Sequence, residues 1–147
     1  MLALLAHPAK PPAWADASDL MIVNVQAPAS LVPTAKTAVI YFAIVNHGPE
    51  SDRLIAVSTP AAKSASLHES VADGDVMMMR ELQAIDVPSG GFVELKQGAI
   101  HVMLTGLVAP LIKDEMIELS LTFEKSGVIP VKVKIGDKVS GHLHPTP

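Results

Sequence analysis

The chain has 147 residues, 11 basic and 15 acidic side chains, a net charge of −4, 3% aromatic residues and no cysteine. That length bounds one domain with a real core, and a mildly acidic, ring-poor chain lacks the basic stripe and stacking platforms of a nucleic-acid binder. The missing thiols exclude disulfides, thiolate zinc sites and a blue-copper centre, and they fit a chain that works where thiols would be oxidised.

Residues 1–18 read as a leader or signal-peptide remnant. A short apolar segment, Leu2 to Ala6, precedes the small-residue site Ala13-Trp14-Ala15, which has the A-x-A form of an export cleavage site. The domain is expected over 19–136. Strand follows short strand there, with turn signals between: Leu20 to Ala27, Lys36 to Asn46, a turn at His47 to Asp52, then Arg53 to Ser58. The longest apolar run, Ala38 to Val45, is far short of the roughly 20 residues of a membrane-spanning helix. A hairpin region (His68 to Ile85) and the segments "GFVELK" and "IHVMLTGL" come next. In "MIELSLTFE", Ile117, Leu119, Leu121 and Phe123 share one face; in "VKVKI", Val131, Val133 and Ile135 do. Such period-two alternation marks half-buried strands. Eight or nine strands without a long amphipathic helix imply an all-β sandwich or Greek-key barrel. Residues 137–147, with "GHLHPTP", read as a flexible tail.

The hairpin sequence "HESVADGDVMMMR" concentrates chemistry. Asp73-Gly74 is a two-residue turn signal. Centring the turn there sets His68 directly across from Met79, with Cβ atoms about 4.5–5.5 Å apart. In "IHVMLTGL", Ile100, Val102 and Leu104 form the core-facing row, so His101 and Met103 point away from the core together. Thioether sulfur is soft and neutral and favours Cu(I) over Zn(II) or hard ions, while imidazole serves both copper oxidation states. Two His and two Met therefore make a neutral four-ligand set for exchangeable Cu(I).

Each piece has a plainer use. A strand methionine usually packs in a core, and that is the expectation for Met21 and Met116. His47, in "NHGPE", is read as solvated, and Asp73 and Asp75 as turn residues that could also steer a cation or a basic partner. His142 and His144 form an H-x-H tail that is either inert or a secondary grip suited to Cu(II).

Together His68, Met79, His101 and Met103 spell H-x10-M-x21-H-x-M. At this chain's His and Met frequencies the spacing arises by chance roughly once in two thousand such chains. The motif resembles that of the bacterial periplasmic PCu(A)C copper chaperones. "VMMMR", "VPSGG", "HVMLTGL" and "ELSLTFEKSG" extend the resemblance over about Asp19 to Ile135. It implies a cupredoxin-like sandwich, periplasmic and not an enzyme, that binds Cu(I) through those four residues. The implied partners are a copper acceptor, such as the CuA subunit of cytochrome c oxidase, and another periplasmic copper carrier. Two departures touch loops: Ala99 follows Gly98 where the family often pairs glycines, and "LIKDEM" lacks the glycine expected near Asp114. The alternatives are a copper-sequestering or resistance protein without a specific acceptor, and a metal-free sandwich acting as an interaction module.

Overall fold

A computed structural model describes residues 19–138; the leader, His7, His142 and His144 lie outside them. The described residues form ten strands in chain order and no α-helix: β1 (Leu20–Ala29), β2 (Thr37–Asn46), β3 (Asp52–Ser58), β4 (Ala62–Asp73), β5 (Val76–Leu82), β6 (Ile85–Val87), β7 (Phe92–Glu94), β8 (Ile100–Leu107), β9 (Met116–Phe123) and β10 (Gly127–Lys138). Among them no helix is long and apolar enough to cross a membrane. One strand more than expected arises at Ile85–Val87. Those residues leave the hairpin and pair with β3 instead. β10 also starts earlier than expected and runs two residues past the expected domain edge at 136.

The strands follow the order β5-β4-β8-β2-β1-β10-β9-β3-β6, with β7 beside β2. The path folds back on itself, so that β3 lies against β4 and β6 against β2. The result is an open β-sandwich. β1 carries the chain from one layer to the other. Its first half pairs antiparallel with β2, and its end pairs parallel with β10. The transition is a bulge between Val23 and Gln26, where Asn24 adopts φ 55°, a left-handed conformation that Asn tolerates better than most residues. Pro130 is accommodated in β10 at a point where β9 pairs with it and β1 has not yet joined.

Alternation explains the core. Leu119, Leu121 and Phe123 of β9 and Val133 and Ile135 of β10 are buried, as their spacing predicts, against Ile40, Phe42, Ile44, Leu54 and Val102. The same parity corrects two expectations. Met116 is in phase with Glu118 and is 55% exposed; Met21 alternates with buried Leu20 and is 46% exposed. Neither is core. His47 is exposed, as read.

Asp52 ties the two-layer frame together. It is buried and accepts hydrogen bonds from the backbone N–H groups of Arg53, Lys125 and Ser126 and from Ser126 Oγ, at 2.6–3.0 Å. The β9–β10 turn is thereby fastened to the start of β3.

Candidate metal centre

The site lies on the outer face of the layer β5-β4-β8-β2. In β4 and β8, Leu67 pairs with Val102 and both are buried in the core. One residue on, His68 pairs directly with His101, and two residues back Ser66 pairs with Met103. Strand parity therefore sets both histidines and Met103 on the face away from Leu67 and Val102. The two rings lie with centroids 5.9 Å apart and planes at 34°.

The hairpin register differs from the expected one. Asp73 pairs with Val76, Ser70 with Met79 and His68 with Glu81. The turn is centred on Gly74-Asp75, not on Asp73-Gly74. Gly74 has φ 66° whereas Asp75 has no positive φ, so the glycine occupies the first central position of the turn, its place in a type II′ hairpin. The shift is two residues, which preserves parity. Met79 stays on the histidine face but sits diagonal to His68, where neighbours are about 7–8 Å apart, their Cβ atoms somewhat closer, and long side chains still meet.

His101 points away from the sandwich core as expected, yet it is only 4% exposed. Tyr41 covers it from β2, edge-on at 6.4 Å between ring centroids and 63° between planes. Tyr41 also helps wall a groove of about 550 Å³ with Val39, Gln26 and Glu94. Burial raises the Tyr41 phenol above its ordinary value.

Hydrogen bonding leaves one nitrogen free on each ring. The Ala99 carbonyl can only accept, so His101 Nδ1, 3.1 Å away, carries the proton and donates. His101 Nε2 is then a buried lone pair with no partner. Ser66 Oγ lies 2.8 Å from His68 Nε2, and His68 Nδ1 is buried without a partner. Buried polar atoms are hydrogen-bonded in the great majority of cases. Two such exceptions on directly paired residues are a chemical signature of a ligand site, with Ser66 and Ala99 orienting the rings as outer-shell groups orient metal-bound histidines. The neighbouring soft donors on this face are the thioethers of Met103, half-buried, and Met79, 52% exposed, and the exposed Glu81 carboxylate, paired with His68, shares the face. Among the described residues no cluster of three or more His, Cys, Asp or Glu could hold a metal ion. Glu81 does not complete such a cluster with the two histidines, and with no cysteine in the chain the sulfur on this face is thioether sulfur. The Arg80–Glu69 ion pair, at 2.9 Å, lies on the opposite face of the hairpin and does not compete for the site.

Ser66, Tyr41 and the Ala99 carbonyl were not singled out from sequence. Ser66 was reachable, because residues two apart on a strand share a face. Tyr41 was not, because its approach to His101 depends on β2 pairing with β8 across about 60 residues of chain. Asp114, at the point where a glycine was expected, adopts φ 73°. Asp114 thus takes up the left-handed conformation that glycine adopts most readily.

Residues 16–135 match the family described as "Putative lipoprotein LpqE-like". The chain belongs to the LpqE-like family. Over 95 residues this LpqE-like chain is 32% identical to the "Putative lipoprotein Lxx21020" of Leifsonia xyli subsp. xyli (strain CTCB07). The match takes in 64% of the chain and 57% of the relative, so the chain spans little more than half the length of the curated relative it matches. Among solved structures, the copper-bound PCuAC domain from PmoF2 is similar with a TM-score of 0.69 at 23% identity, covering 82% of this chain and 94% of that one. The apo PCuAC domain from PmoF1 gives 0.69 at 24%, covering 82% and 95%. The CuI form of DR1885 from Deinococcus radiodurans gives 0.65 at 24%, covering 88% and 87%. These likenesses establish the fold as the cupredoxin-like sandwich of PCuAC domains, and the resemblance to that family read from the sequence is borne out.

Proposed function

We propose that this LpqE-like protein is an exported copper chaperone that binds one Cu(I) through His68, Met79, His101 and Met103 and passes it to a copper-accepting protein. One observation carries the proposal: two buried, unpartnered imidazole nitrogens on directly paired residues, with two thioethers on the same sheet face. Two neutral nitrogens and two neutral sulfurs suit a soft monovalent ion, and neutral thioethers hold it less tightly than thiolates would. Copper is the cargo, so the chain needs binding and release rather than turnover. That two of the fold's solved relatives are described as copper-bound and CuI forms supports the choice of ion. The family and relative described as lipoproteins, together with the A-x-A leader, support export to the periplasmic side.

The test is a competition titration of reduced-copper-loaded protein against a Cu(I) chelator, beside the Met79→Ala/Met103→Ala double variant. One-to-one binding that collapses in the double variant is the expected result. Binding indifferent to both methionines refutes the ligand set. Copper transfer to a soluble CuA domain, monitored by its absorption, then separates a chaperone from a protein that only sequesters.

A further inference from the structure

We propose that Met77 is a third thioether for the same ion, an exit position through which Cu(I) leaves the site; this rests on the Cu(I) assignment above. Met77 pairs with Ala72, Met79 with Ser70 and His68 with Glu81. Parity therefore places Met77 and Met79 in one row on the histidine face, whereas Met78 pairs with Val71 on the other face. Successive same-face residues of a strand are about 6.7 Å apart. A methionine spans much of that gap, because its unbranched side chain has three rotatable bonds. The cross-strand neighbours Ala72 and Ser70 are small and leave both thioethers room to lean along the strand. Met77 is 60% exposed and Met79 52%. β5 is also the edge strand of its layer, so nothing in the sheet stands between this row and an approaching acceptor.

The chemistry is ligand exchange. A bond from copper to Met77 sulfur forms as the bond to Met79 sulfur breaks, and the histidines let go last. The ion remains Cu(I), the thioethers remain neutral, and no proton or electron moves. Because a new sulfur arrives before the old donors are all lost, the ion moves along β5 without passing through a bare state. The same proximity lets Met77 substitute when Met79 is removed.

Six proteins test this: wild type, Met77→Leu, Met78→Leu, Met79→Leu, Met77→Leu/Met79→Leu and Met78→Leu/Met79→Leu. Leucine conserves volume at these exposed positions, and circular dichroism checks the fold. Each is measured for Cu(I) affinity by chelator competition and for the rate of Cu(I) loss to bicinchoninate by stopped flow. Met77→Leu is expected to keep the wild-type affinity within about twofold and to release copper several-fold more slowly. Met77→Leu/Met79→Leu is expected to bind about tenfold more weakly than Met79→Leu, in line with coupling between neighbouring groups. Both Met78 variants are expected to match their parents. If wild type binds Cu(I) while the Met77/Met79 double variant equals Met79→Leu and Met77→Leu releases at the wild-type rate, the role of Met77 is overturned and the four-ligand site stands. If wild type itself holds no Cu(I), the copper assignment falls and Met77 with it.

Discussion

Replacing His101 with leucine separates a ligand histidine from a structural one, because the two roles predict opposite outcomes in stability. In the metal-free protein His101 Nε2 is buried without a partner, a situation that costs about 1–3 kcal/mol. His101→Leu relieves that cost. Against it stand the lost Nδ1–Ala99 hydrogen bond, about 1 kcal/mol, and the edge contact with Tyr41, about 0.5–1.5 kcal/mol. The Ala99 carbonyl is not orphaned, since it keeps the Ser70 N–H at 3.1 Å. The opposing terms nearly cancel, so the metal-free variant is expected to lie within about 1 kcal/mol of wild type despite the loss of a buried side chain. Copper reverses the comparison. At a free Cu(I) concentration a hundred times Kd, wild type gains about 2.7 kcal/mol, worth on the order of 10 °C in Tm for a domain of this size. The variant gains nothing. The assay is thermal unfolding with and without a buffered Cu(I) source. A metal-free variant more than about 2 kcal/mol below wild type refutes the reasoning, because that loss is typical of a satisfied core group. A copper-dependent Tm rise that survives the substitution refutes it equally.

Three more outcomes are expected. Ser66→Ala frees the His68 ring from its 2.8 Å partner and is expected to weaken Cu(I) binding by about tenfold with little change in metal-free Tm, the usual scale for an outer-shell group; chelator competition measures it. For Asp52, burial alone would raise the carboxyl. The hydrogen bonds from Ser126, Lys125 and Arg53 outweigh it and hold the group below its ordinary value. A carboxyl depressed in the folded state stabilises at pH values above its unfolded pKa, about 3.9. That stability is lost as pH falls through the lower folded value. Asp52→Asn is therefore expected to cost about 1–3 kcal/mol at neutral pH and to flatten the acid limb of stability, both read from urea unfolding across pH. Removing His142 and His144 is expected to reduce Cu(II) binding more than Cu(I) binding, as isothermal titration with each ion would show; equal loss of both ions excludes a separate tail site.

What the sequence made legible was parity, and what it hid was register and coverage. Period-two alternation placed Leu119, Leu121, Phe123, Val133 and Ile135 in the core and set His101 and Met103 on the face away from it. Applied consistently, it also excludes Met116 from the core, since Met116 is in phase with Glu118. The hairpin register was not fixed by composition. Asp73-Gly74-Asp75 supports a turn with glycine second or glycine first, and the two differ by a whole two-residue step. Met79 shares the histidine face in either register only because an even shift leaves every side chain on its own face. The burial of His101 was invisible for another reason. It comes from Tyr41, and that contact exists only once β2 has joined β8.

The four proposed ligands form a gradient from the protein's interior to its edge. His101 is 4% exposed, His68 and Met103 are intermediate, and Met79 is 52% exposed on the outermost strand of its layer. The nitrogen donors, which raise affinity, are held at the buried end, with a carbonyl beside one and a hydroxyl beside the other. The sulfur that exchanges most readily stands where a partner can reach it. An arrangement that buried all four ligands would hold copper more tightly, because it would exclude competing water, but the acceptor would then have to open the fold to collect the ion. An arrangement that exposed all four would lose the ion to any thiol. Burial graded along β8, β4 and β5 allows an acceptor to displace Met79 first and the histidines last. The order is testable in a trapped complex by X-ray absorption: a transfer intermediate is expected to keep two nitrogen ligands and to have exchanged one sulfur. An intermediate that had lost a nitrogen while keeping both original sulfurs would reverse the assigned direction of exit.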